Sequence, residues 1–186
     1  MRGSSSSFGI VTTVHANTFA APSSATVFEY TWDLSASQAA AATFAFQSFV
    51  VSPSLPQEFG AELVLGAGSK KGRVSFGLTG GWYAPANQLS AVLDPYIQAV
   101  GVKPQSKKLT VGKYIDSVGL LGGLSGNRLN TTVLPDGHDT FYAKSLMTPE
   151  DSPMSEKSLQ AFYDYLGSTG FNADSVCRSL LFARVF

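Results

Sequence analysis

Two histidines, one cysteine and a scatter of carboxylates are what this chain of 186 residues offers for acid–base or nucleophilic chemistry. His15 sits inside an apolar, β-forming run, and His138 stands beside Asp139, with Ser125 and Ser145 as conceivable nucleophiles. A Ser-His-Asp hydrolase needs these groups in mutual hydrogen-bond reach, and no spacing in the chain brings them together, so structural roles are favoured. A metal site fares worse, with the histidines far apart and no spaced carboxylate cluster. The single Cys177 excludes an internal disulfide, a CxxC redox pair and a thiolate zinc cluster, and reads as a core filler.

The glycine-rich stretches are equally unpersuasive as phosphate sites. Gly66-Ala67-Gly68-Ser69-Lys70-Lys71-Gly72 has its third glycine one place late for a dinucleotide fingerprint, and a strand follows it where a helix N-terminus is required. It reads as a hairpin loop. Gly112-Lys113 lacks the upstream glycine of a P-loop, and Gly123-Leu124-Ser125-Gly126-Asn127 lacks the last glycine of a nucleophile elbow. Trp32, Trp82, Tyr83, Tyr96, Tyr114 and Tyr142 could stack on sugar rings, although most aromatics of a sheet are core.

These side chains must be positioned by a single core, since 186 residues at 44% hydrophobic content match one ordinary domain. Thirteen basic residues balance thirteen acidic ones, which leaves no electrostatic footprint for nucleic acid or an anionic membrane. No apolar run approaches the ~20 residues of a membrane span, and Met1 to Ser7 lacks the apolar core of a signal peptide. Asn130-Thr131-Thr132 is a glycosylation sequon, which matters if a longer precursor is secreted.

Alternation and turn residues predict strands over 8–19, 26–32, 59–65, 73–82 and 140–147, with an apolar strand over 178–186. Helical spacing predicts helices near 38–51, capped by Ser35 or Ser37, near 86–100, stopped by Gly101, and near 155–166. The region 109–123 reads as a short strand or loop before a small helix at 114–121, and 122–135 as a long surface loop. Paired strands alternating with single helices give an α+β fold, an antiparallel β-sheet with α-helices packed on one face. In the strand over 59–65, Gly60, Glu62 and Val64 share one face, and the apolar Ala61, Leu63 and Leu65 share the other. Glu62 therefore projects away from the helices, either as a groove carboxylate beside residues such as Tyr142 or Lys144, or as a solvated surface group.

The opening Arg2-Gly3-Ser4-Ser5-Ser6-Ser7-Phe8-Gly9-Ile10-Val11-Thr12 resembles the segment RG(A/G)G(S/N)(S/N)FGIVT of FAD-linked oxidases of the berberine bridge enzyme and glucooligosaccharide oxidase family. An expression-tag or linker reading of its start leaves Phe8 to Thr12 unexplained. Ala21-Pro22 is similar to the family's (F/Y)PAP turn, and Ser75 to Tyr83 with the following helix to its strand, aromatic turn and LxxLxxPxxxxLG helix. His138 to Ser145 resembles its F(Y/K)AKS strand, and Ser155 to Leu166 the helix after it. The ordered set covers nearly the whole chain.

The resemblance implies an enzyme that oxidises an alcohol or carbohydrate hydroxyl with FAD and passes the electrons to O2. Residues 1–12 would be a remnant of the FAD-binding loop and strand, with Ser6, Ser7, Gly9, Ile10 and Val11 touching cofactor. Residues 13–186 would be a substrate-binding domain truncated at both ends, with Glu62, Tyr142 and Lys144 lining an oligosaccharide groove. The flavin-attaching His and Cys would precede Met1, and the base would follow Phe186, so the catalytic residue is unknown and FAD is not expected to be retained by this chain. The whole would be a secreted fungal-type protein. Departures from the pattern are Ser4, Ser5 and Ser6 for flexible glycines, Gly60 for the Arg of an Arg-x-Glu pair, and Ala183 or Arg184 for a substrate-facing Gln. Two rivals remain, a saccharide- or small-molecule-binding module without redox chemistry and a degenerate gene fragment.

Overall fold

The computed structural model describes residues 9–10, 12–122, 152–172 and, by backbone alone, 180–183. Five strands, β1 (Ala25–Ser35), β2 (Phe59–Ala67), β3 (Arg73–Trp82), β4 (Ser106–Gly112) and β5 (Leu180–Ala183), form one sheet in the order β4-β1-β3-β2-β5. Every neighbouring pair is antiparallel. Four helices accompany it: α1 (Ala36–Val50), α2 (Leu89–Val100), α3 (Tyr114–Leu121) and α4 (Glu156–Gly167). The expected α+β fold is the one observed.

The sheet is two-faced because its strands alternate. Phe28, Tyr30, Trp32 and Leu34 of β1, Phe59, Ala61, Leu63 and Leu65 of β2, and Val74, Phe76, Leu78 and Trp82 of β3 are buried in one core. Helices α1, α2 and α4 contribute Ala39, Ala42, Phe46, Leu93, Tyr96, Leu159, Tyr163 and Leu166 to it. Each large side chain so buried contributes about 1.5–3 kcal/mol relative to exposure.

Local chemistry sets the helix ends. Ser35 closes a capping box, its hydroxyl accepting from Gln38 N at 3.2 Å while its own N–H donates to Gln38 Oε1 at 2.9 Å. Gly101 ends α2 in the left-handed region at φ 69°, where a Cβ is disfavoured. Helix α4 is tied to α1 by a hydrogen bond between the Tyr163 and Thr43 hydroxyls. The Gln47 amide adds a reciprocal pair with the Met154 backbone, 3.0 Å each way.

The loop between β2 and β3 is a hairpin connection, not a phosphate cradle. Asp33 accepts from Ser69 N at 3.0 Å, Ser69 Oγ at 2.7 Å and Arg73 Nε at 3.0 Å, and Arg73 also donates to the Asp33 carbonyl. A side chain at Gly68 would collide with the Arg73 backbone at 2.4 Å, so the tight approach requires glycine there.

One expectation is corrected. Residues 9, 10 and 12–22, expected within or just after a strand over 8–19, have no regular structure and are almost wholly exposed, with Ile10, Val14 and Phe19 in solvent. Strand propensity is realised only by pairing, and both neighbours of β1 are already taken by β3 and β4. Helix α3 lies on the face of the sheet opposite α1, α2 and α4. Gly112 there faces the Asp116 side chain at 3.2 Å, and Ala25, on that face by alternation, is only 1% exposed. The strand expected over 140–147 and, apart from Gly122, the loop expected over 122–135 lie outside the described residues.

Burial raises the Asp33 pKa, but the Ser69 N–H, the Ser69 hydroxyl and Arg73 outweigh it and hold the carboxyl below its ordinary 3.8. Its stabilisation is therefore present above pH 3.8 and lost as pH falls through the folded-state value. Asp33→Ala is expected to cost about 2 kcal/mol in urea unfolding at pH 7 and to abolish that acid limb. Burial likewise pushes the Tyr163 phenol up to about 12 despite the Thr43 hydroxyl, and raises Tyr96 well above its ordinary value. Above pH 10 the unfolded chain releases protons that the folded chain keeps, so stability falls as pH rises, and Tyr163→Phe should flatten that alkaline limb in thermal melts.

Candidate functional site

The face of the sheet opposite the helices holds the residues with unspent chemistry. Register places Lys108, Glu29, Thr79 and Glu62 in one row across β4, β1, β3 and β2, with Phe182 of β5 the backbone partner of Glu62. Direct cross-strand neighbours of this kind have Cβ atoms ~4.5–5.5 Å apart, so one ligand can span several of them. Around Glu62 this face is short of side chains. Gly60 and Gly66 lie on it in β2, Gly77 and Gly81 in β3, and a Cβ at Gly60 or Gly66 would meet nothing within 4 Å.

Glu62 itself is half-buried, and among the described residues nothing donates to its carboxylate or pairs with it. Burial alone pushes its pKa up from 4.5. A partly desolvated carboxylate without protein donors is an acceptor left for something else, and hydroxyl groups are its natural partners.

The same face carries an aromatic pair at the end next to α3. Tyr83 follows β3 and folds back so that its hydroxyl lies 2.8 Å from where a Gly81 Cβ would project. Its ring meets Tyr114 of α3 with centroids 5.7 Å apart and planes tilted by 55°. Trp32, Trp82 and Tyr96, also singled out from the sequence, are core. Trp32 donates to the Val102 carbonyl at 2.9 Å, Trp82 to the Pro85 carbonyl at 2.9 Å and Tyr96 to the Ala42 carbonyl at 3.3 Å. Glu62 is thus on the expected face, whereas Tyr142 and Lys144 lie outside the described residues. Thr79 and Glu29, absent from the sequence reading, enter through register, which alternation within one strand does not reveal.

Chemistry of other kinds finds little support here. His15 is exposed on the irregular segment, while His138, Asp139, Ser125, Ser145 and Cys177 lie outside the described residues. Among the described residues no cluster of three metal-ligating side chains occurs, and no helix is long and apolar enough to cross a membrane. Of the residues expected against FAD, Gly9 and Ile10 are exposed, Ile10 at 94%, and Ser6, Ser7 and Val11 lie outside the described residues. The described residues build no dinucleotide cradle of their own.

Known proteins share this architecture. A glucooligosaccharide oxidase of Sarocladium strictum is 29% identical over 165 residues, spanning 89% of this chain and 31% of that protein. A chitooligosaccharide oxidase of Gibberella zeae is 28% identical over 173 residues, spanning 91% and 32%. A solved structure concerned with the 6-S-cysteinyl, 8α-N1-histidyl FAD of glucooligosaccharide oxidase from Acremonium strictum matches 86% of this chain and 30% of its own, at a TM-score of 0.66 and 28% identity. No protein-family model matches the chain. Over most of its length the chain is thus similar to two oligosaccharide oxidases. It spans about a third of the length of the curated relatives it matches.

Because the Glu62 pKa is raised, the folded state keeps its proton to higher pH than the unfolded chain, and stability falls as pH rises through the window above 4.5. Glu62→Gln should therefore melt at or above the parent temperature at pH 7, the gap closing at pH 4, in thermal scans at both values.

Proposed function

We propose that these residues are the saccharide-binding part of an FAD-dependent oxidoreductase that oxidises a carbohydrate hydroxyl with O2 as acceptor. The observation that carries the reading is the open sheet face, where the Glu62 carboxylate, unpaired among the described residues, stands among glycines in a chain similar over most of its length to two oligosaccharide oxidases. Bare glycine floor admits the flat body of a sugar ring, while a carboxylate accepts from its hydroxyls. Flavin, when bound in the whole enzyme, supplies the two-electron oxidation. The residues described here supply binding and orientation. Glu62 fixes hydroxyl positions, and Thr79 beside it can donate or accept.

By itself the 186-residue chain is expected to bind saccharide and turn none over, since the exposed residues 9, 10 and 12–21 present too few contacts to offset a dinucleotide's lost freedom. The sequon at Asn130 suits a secreted whole protein.

Isothermal titration of the 186-residue chain with cellotriose and with triacetylchitotriose tests this reading. Saturable binding of at least one, weakened about tenfold by Glu62→Gln, is expected, as hydrogen bonds to a charged acceptor contribute roughly 1.5–3 kcal/mol. The purified protein should be colourless. No binding of either sugar, or unchanged affinity in Glu62→Gln, would overturn the assignment, and a flavin band that survives dialysis would overturn the expectation that the chain holds no FAD.

A further inference from the structure

The Tyr83 phenol lies over Gly81 on the face of the sheet opposite the helix layer. Hydroxyl, Cζ and Cε2 lie 2.8, 2.9 and 3.1 Å from the point where a Cβ at Gly81 would stand, so the ring covers the open face only because residue 81 has no side chain. Gly81 is accordingly buried although it faces away from the helices. Its backbone partner on β2 is Gly60, over which a Cβ would meet nothing within 4 Å, and Glu62 is two residues further along the same face. Two residues of a strand span about 7 Å. The Tyr83 hydroxyl and the Glu62 carboxylate therefore flank one stretch of backbone that is bare among the described residues, with a donor–acceptor group at one end and an acceptor at the other.

We propose that Tyr83 is a second binding residue of this site, its hydroxyl bonding a saccharide hydroxyl across the Gly60 floor from Glu62, and that Gly81 is the positioning residue that keeps the phenol there. The inference rests on the saccharide-binding reading above and adds to it a residue that follows a different strand. Tyr83 suits the task because a phenol has few torsions to order and one end that both donates and accepts. Ring contact with Tyr114 restrains it further. A ligand reaching both ends must be hydroxylated along one edge, which a pyranoside is and a simple alcohol is not.

Three variants of the 186-residue chain separate this role from mere packing. Tyr83→Phe keeps the ring and removes the hydroxyl. Gly81→Ala places a methyl group against the phenol, whose flexible far end can swing away, and so displaces it at small cost to the fold. Tyr165→Phe, which removes an exposed phenol on α4 of the helix layer, is the control. With whichever of cellotriose or triacetylchitotriose the parent binds, Tyr83→Phe and Gly81→Ala should each raise Kd about fivefold at unchanged melting temperature, and Tyr165→Phe should leave Kd alone. Parent-like binding by Tyr83→Phe or by Gly81→Ala would overturn the proposal while leaving the saccharide reading intact, as would a loss of affinity matched by a loss of melting temperature. Equal weakening by Tyr165→Phe would also overturn it. A parent chain that binds neither sugar removes the reading and this inference together.

Discussion

Burial of one face of the sheet under α1, α2 and α4 is the constraint on which the rest of this molecule depends. Because strand side chains alternate, fixing Phe28, Trp32, Leu63, Phe76 and Leu78 in the core also fixes what the other face displays. A slip of one residue in β2 would send Glu62 into the apolar layer and Leu63 into solvent. Neither is tolerable, the first because an unpaired carboxylate in that layer would cost several kcal/mol and the second because it forfeits a fully buried leucine. Pairing with β3 then sets Glu62 against Thr79 without any contribution from the polar residues themselves.

Polar interactions elsewhere hold this arrangement in place. Asp33 gathers two donors from Ser69 of the β2–β3 loop and one from Arg73 at the start of β3, and so pins the turn that sets the register of both strands. Gln47 and Thr43 fasten α4 to α1, and hence the whole layer to the sheet. Each of these groups is satisfied within the fold. Glu62 is the contrast, a carboxylate whose burial is uncompensated among the described residues, and such unspent polar capacity is where a ligand gains most.

The glycines divide by purpose in a way that composition cannot show. Gly68 and Gly101 serve the backbone, one for close approach and one for a left-handed φ. Gly60 and Gly66 serve neither, and their effect is to leave space over the open face. Gly81 is different again, as its missing side chain is occupied by a neighbour's ring.

By itself the sequence determined the α+β class, the caps at Ser35 and Gly101, the hairpin nature of residues 66–72 and the face on which Glu62 lies. All of these follow from periods of two and 3.6 residues and from local hydrogen bonding, which act within one element. Tertiary structure decided the rest. The run 8–19 alternates as a strand should, yet its described part has no partner and forms none, because pairing depends on which edges are free. The aromatics looked alike in sequence, and only packing sent Trp32, Trp82 and Tyr96 to the core while leaving Tyr83 and Tyr114 at the open face. The row from Lys108 to Glu62 exists only through register across four strands, and register is set by long-range pairing that no single segment encodes.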